Sequence, residues 1–84
     1  MLNIYYTLNL EKKELLITYA PLYTQVKHGF RIEGSLSLDG RTFFVSSKAI
    51  NNSDKLSQTE KDGIIKYIMR DSKMHKDIEV IFNR

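Results

Sequence analysis

His28 and His75 are the only imidazoles in this 84-residue chain, and they are where acid–base or metal chemistry would first be sought. Both fall in expected loops, and neither shares a helical or strand register with the other. Lys27-His28-Gly29 has the composition of a solvated turn. A shared proton-transfer or metal-binding role is therefore not implied. The chain contains no Gly-x-Gly-x-x-Gly run, no Walker-type phosphate loop, no Gly-x-Ser-x-Gly elbow and no paired-histidine metal motif. With no cysteine there is neither a disulfide staple nor a thiolate ligand. No catalytic residue, metal site or cofactor is nominated, and the chain is read as non-enzymatic.

The charged residues suggest one binding surface. Lys66, Arg70 and Lys73 recur at i, i+4 and i+7, which puts them within about 60° of one another on a helix. Such a ridge could contact phosphates of a nucleic acid, with Arg31 or Lys48 extending it. Acidic residues are interleaved, however, and Asp62 is expected to pair with Lys66 at the i+4 spacing. Overall, 13 Lys and Arg against 10 Asp and Glu leave a net charge of +3, too small to demand an acidic partner. Nucleic acid is thus the second choice of partner. Single-stranded RNA is also read by aromatic side chains on open sheets, but those modules place a helix between their first two strands and this chain does not.

A second candidate surface is apolar. Tyr5, Leu16, Phe44 and Ile81 occupy strand positions that point away from the expected core, and together they would make a partner-binding or homodimer patch. Scattered exposure, or cover from the loop between Pro21 and His28, is the competing reading.

These residues need elements to position them. Residues 2 to 10 alternate in polarity, and after Glu11-Lys12-Lys13 the pattern resumes from Glu14 to Ala20, which predicts a hairpin. Pro21 removes an amide donor and should end the ladder. Phe30 to Leu38 forms the third strand, with Phe30, Ile32, Leu36 and Leu38 toward the core. A two-residue type I′ turn at Asp39-Gly40 would pair Leu38 with Arg41, Leu36 with Phe43 and Gly34 with Val45. Ser57-Gln58-Thr59-Glu60 matches a capping box, so a helix should start there and run to about Ser72 or Met74. Ile64, Ile65, Ile68 and Met69 supply its apolar stripe. No helix is expected before residue 50, and Asp77 to Asn83 reads as a last strand.

The expected fold is therefore α+β: a mostly antiparallel sheet of about five strands, in the order β-β-β-β-α-β, with one helix on one face. Its other face is left for solvent or a partner. The length fits a single domain over residues 1–84. The N-terminus lacks the basic and apolar regions of a signal peptide, and no segment is long enough to span a bilayer as a helix, so a cytoplasmic location without membrane contact is expected.

Residues 41 to 82 have a further pattern: Thr42-Phe43-Phe44-Val45-Ser46-Ser47, Ala49-Ile50-Asn51, a polar loop, Leu56-Ser57-Gln58-Thr59-Glu60, Gly63-Ile64-Ile65-Lys66-Tyr67-Ile68, and Ile78-Glu79-Val80-Ile81-Phe82. This stretch resembles the C-terminal half of a family of small bacterial immunity proteins, the group numbered seventy-four among polymorphic-toxin immunities. Asn51-Asn52-Ser53 stands where that family tends to place a tryptophan. The resemblance implies a non-catalytic inhibitor that neutralises a toxin or other target enzyme by covering its surface.

Overall fold

A computed structural model describes residues 2–21 and 28–83. Five strands and two helices follow in the order β1 (Leu2–Asn9), β2 (Glu14–Pro21), β3 (His28–Leu36), β4 (Thr42–Ser46), α1 (Lys48–Asn51), α2 (Gln58–His75) and β5 (Glu79–Asn83). They form one sheet in the order β1-β2-β3-β4-β5, antiparallel except for the β4–β5 pair. The parallel pair follows from the chain path, since α2 carries the chain back along the sheet before β5 begins. The α+β class, the strand order and the single main helix agree with the sequence reading. Among the described residues no helix is long and apolar enough to cross a membrane.

Period-two alternation decides which face each strand buries. Leu15, Ile17, Tyr19, Ile32, Phe43, Val45 and Val80 point inward, where they meet Ile64 and Ile68 of α2 together with Ile50 and Leu56. Ile4, Tyr6, Leu8, Phe30, Ile65, Ile78 and Phe82 pack around this cluster. The start of α2 is fixed by both halves of the capping box: the Glu60 amide donates to Ser57 Oγ at 3.2 Å, and the Ser57 amide donates to Glu60 Oε1 at 3.0 Å.

β3 serves two neighbours in succession. Its residues 28 to 33 pair with β2, and Gly34, Ser35 and Leu36 pair with β4. Gly34 marks the change. A Cβ there would lie 2.5 Å from Cε2 of Phe43 and would run into the Phe44 carbonyl oxygen, so the position requires the absence of a side chain.

Three expectations about local structure are corrected. Leu36 pairs with Phe43 and Gly34 with Val45 as expected, but the Leu38–Arg41 pair is open. The Ser37 amide donates to the Thr42 carbonyl at 2.8 Å and the Gly40 amide to the Ser37 carbonyl at 3.0 Å, centring the turn on Leu38-Asp39. A type I′ turn needs positive φ at both Asp39 and Gly40, and only Gly40 has it, at 72°. The Asp39 carboxylate is occupied instead, accepting from Ser37 Oγ at 2.6 Å and from the Arg41 amide at 3.1 Å. Those two bonds hold its carboxyl below the usual range, the Ser37 bond most of all. Leu38 is consequently fully exposed at the tip, and Leu36 is 36% exposed rather than core.

The second correction is α1, a single helical turn that begins before residue 50. The Asn51 amide donates to the Ser47 carbonyl at 2.9 Å, and Lys61 Nζ reaches the Asn51 carbonyl at 2.8 Å. The turn buries Ile50 completely. Four residues are too few to show a helical period in sequence. Third, the histidines are not loop residues. His28 opens β3 and His75 closes α2.

Candidate functional site

The helix-free face of the sheet carries the four residues singled out as a partner-binding surface. Tyr5 lies opposite Thr18, Leu16 opposite Thr7 and Arg31, and Phe44 between Ser35 and Ile81. Alternation along each strand places all four on the face that α2 does not cover. Tyr5 is 70% exposed and Phe44 37%, while Leu16 and Ile81 are half-buried.

They do not form one continuous patch. Leu16 sits beside Arg31 and Phe44 beside Ser35, four residues further along β3 and on its other side, a displacement of about 13 Å along the strand. Between them β3 presents Arg31, Glu33 and Ser35. Arg31 Nε lies 3.9 Å from Glu14 Oε1; the arginine is exposed and the glutamate largely covered, and at this length the pair is of small energetic worth. The change of partner at Gly34 is the cause, because it staggers the two halves of the sheet. The surface is therefore split: Tyr5 and Leu16 are diagonal neighbours on β1 and β2, Phe44 lies directly beside Ile81, and a polar strip separates the two groups. Six residues of the loop considered as cover, 22 to 27, lie outside the described residues.

The basic ridge is present on the outer side of α2, with Lys66, Arg70 and Lys73 all exposed. The expected Asp62–Lys66 pair is not formed. Asp62 accepts from Gln58 Nε2 at 3.0 Å instead, and among the described residues Arg31–Glu14 is the one ion pair. Arg31 does not extend the ridge, because it lies on the face of the sheet opposite α2.

Polar side chains also converge on the inner side of the sheet, between β1 and α2. Tyr6, at an inward position of β1, donates its hydroxyl hydrogen to Oδ2 of Asp71 on α2. Its ring meets Tyr67 edge-on, with centroids 6.4 Å apart, and Lys76 Nζ lies 5.8 Å from its centre. Burial, and then the hydrogen bond to the Asp71 carboxylate, push the Tyr6 phenol far above its ordinary range. A phenol held this way keeps its proton and is a poor general base. The group fastens β1 to α2 beside a cleft of about 330 Å³ lined by Tyr6, Leu8, Leu10, Lys76 and Ile78. Asp71 is visible in sequence as an acid flanking the apolar stripe, but its distance from Tyr6 along the chain hides the pairing.

His28 lies in a different cleft, of about 470 Å³, where its ring stacks on Tyr19 at 5.4 Å and Tyr19 stacks on Phe30 at 5.6 Å. Burial, and then the charge of Glu60, raise the Tyr19 phenol above its usual range. His75 ends α2 next to the start of β5, at the other end of the sheet from His28. Among the described residues no group of three His, Asp or Glu side chains could hold a metal ion.

Comparison with protein-family models, with curated proteins and with solved structures finds no match.

Proposed function

We propose that this is a small non-catalytic protein-binding module of the inhibitor or immunity type, which neutralises a partner protein by covering part of its surface. The observation that carries the reading is the Phe44–Ile81 pair. These residues lie directly across β4 and β5 on the face left bare by α2, with Phe44 37% exposed. An aromatic anchor beside an aliphatic one is the side-chain chemistry that protein interfaces concentrate at their centres. The Arg31–Glu33–Ser35 strip gives the same face polar groups for orienting a partner. The resemblance of residues 41 to 82 to an immunity family supports the same class. The test is to recover a partner from the native host, then ask whether Phe44→Lys loses it and whether the wild-type protein suppresses that partner's activity. Unchanged recovery by a folded Phe44→Lys variant would refute the reading.

A second reading is nucleic-acid binding through Lys66, Arg70 and Lys73. It gains support from Asp62 turning to Gln58 and leaving Lys66 without that acidic partner. Three exposed cations would give weak binding that falls steeply with salt through counterion release. Titration of single-stranded and duplex oligonucleotides at two salt concentrations tests it, and tight, salt-tolerant binding would displace the first reading.

A further inference from the structure

The two edges of the sheet are finished differently. On β5 the outward amide of Val80 donates to Ser72 Oγ of α2 at 2.9 Å, and Ser72, fully buried, donates in turn to the Met69 carbonyl at 3.2 Å. The helix thus occupies an outward amide of that edge. The direction of the β1 hydrogen bonds follows from the ladder. The Gly34 amide donates to the Lys13 carbonyl at 3.0 Å, and the Glu14–Glu33 register places these two residues opposite each other. Odd-numbered residues of β2 therefore bond to β3, and even-numbered ones bond to β1. Since Thr18 faces Tyr5 and Leu16 faces Thr7, the odd residues of β1 are bonded to β2. Ile4, Tyr6 and Leu8 then turn their amides and carbonyls to the open edge. Among the described residues no hydrogen bond reaches these groups. Two clefts run beside them, one lined by Tyr6, Leu8, Leu10 and Ile78 and the other by Asn3, Ile4, Tyr5 and Tyr67.

Edge strands are ordinarily protected by charge, proline or a bulge. Leu2–Asn9 has no charged residue and no proline, and its register with β2 runs unbroken from Leu2–Pro21 to Asn9–Glu14. We propose that β1 pairs with β1 of a second copy of this chain, antiparallel about a two-fold axis at Tyr5, joining two five-stranded sheets into one.

The strand is its own complement in this arrangement. Ile4 of each copy faces Tyr6 of the other on the helix side, and the groups that would bond are the outward ones. Asn3 faces Thr7 on the bare side. Tyr5 faces its own copy at a non-hydrogen-bonded position, where opposed side chains approach closest and an aromatic pair contributes most. The two paired strands oppose no like charges, because Leu2–Asn9 carries none, although each chain has a net charge of +3. Because the two-fold uses β1 of both copies, the pairing closes on itself at two copies, and on the β5 edge the Val80 amide is already taken by Ser72. The arrangement also accounts for the 70% exposure of Tyr5 in one chain. It does not rest on the proposed target binding, which uses the far side of the bare face.

Sedimentation equilibrium of the full chain up to about 100 μM, where a weak interface is populated, tests this. Wild type should sediment as a concentration-dependent dimer. Tyr5→Lys and Tyr5→Glu should each raise the dissociation constant about tenfold, by opposing like charges across the axis. An equimolar mixture of the two should recover the lost association, since Lys then faces Glu. The substitutions fall on an exposed side chain, and unchanged circular dichroism checks the fold. In wild type, amide exchange at Ile4, Tyr6 and Leu8 should slow as concentration rises. A wild-type monomer throughout this range, a dimer indifferent to either charge, or a mixture no tighter than its components would overturn the proposal.

Discussion

The two faces of the sheet are built from the same strands, yet they obey different rules. At the centre of the inner side Phe43, Leu15, Ile17, Val80 and, from α2, Ile64 are buried to 1% exposure or less, and even the polar atoms of Ser72 and Tyr6 have partners. The outer face repeats the same alternation with Tyr5, Leu16, Phe44 and Ile81 among polar residues, and α2 covers none of it. Side chains on the first face are held by one another. Those on the second are restrained only by the backbone and their strand neighbours. Substitutions should separate accordingly, with stability lost on the inner side and binding lost on the outer.

The largest stability effect should come from Gly34→Ala. The added methyl meets the Phe44 carbonyl, which belongs to the backbone and cannot rotate away, and it displaces the Phe43 ring. Overpacking of this kind costs about 3 kcal/mol, to be read as a lower urea midpoint. A variant as stable as wild type would show that β3 can change partners without a glycine.

Ser72→Ala should cost about 2 kcal/mol, because the Val80 amide is left buried without an acceptor. The same substitution opens the β5 edge, so faster exchange of the Val80 amide is the sharper readout. Loss of stability with unchanged exchange would mean that the hydroxyl acts through packing and not through that bond.

Tyr6→Phe should cost about 1 kcal/mol at neutral pH, the bond to Asp71 being only partly shielded from water. The pH dependence has a definite sign. The phenol is raised in the folded state, chiefly by burial and then by Asp71, so its contribution is complete below the unfolded value of about 10. As pH rises beyond that point, the unfolded chain loses its proton while folded Tyr6 keeps it, and the contribution shrinks. The gap between wild type and Tyr6→Phe in urea melts should therefore narrow in alkali. A gap that widens would contradict the Tyr6–Asp71 assignment.

Much of this arrangement was legible in the chain because it is local. The capping box at Ser57 and Glu60, the Leu36–Phe43 register and the outward setting of Phe44 each follow from residues close in sequence. What could not be read depends on distant partners or on competition between local bonds. Asp39 could have entered a type I′ turn, but its carboxylate found Ser37 and Arg41, which left Leu38 in water. The stagger at Gly34 appears only once β2 and β4 are both in place, and it divides a surface that strand parity alone would unite. Tyr6 and Asp71 meet across 65 residues, and no periodicity announces such a pair.

The outer face gives the most direct test. Phe44→Lys should leave stability within about 0.5 kcal/mol of wild type, since the residue is exposed and its neighbours are Ser35 and Ile81. If Phe44 anchors a partner, the same change should weaken binding of that partner by more than about 1 kcal/mol. Calorimetric titration of the recovered partner into wild type and Phe44→Lys, with melting curves on the same samples, measures both quantities. Equal stability with at least fivefold weaker binding, the affinity ratio equivalent to about 1 kcal/mol, is the predicted result. Equal stability with equal affinity would contradict the claim that the helix-free face is where this protein works.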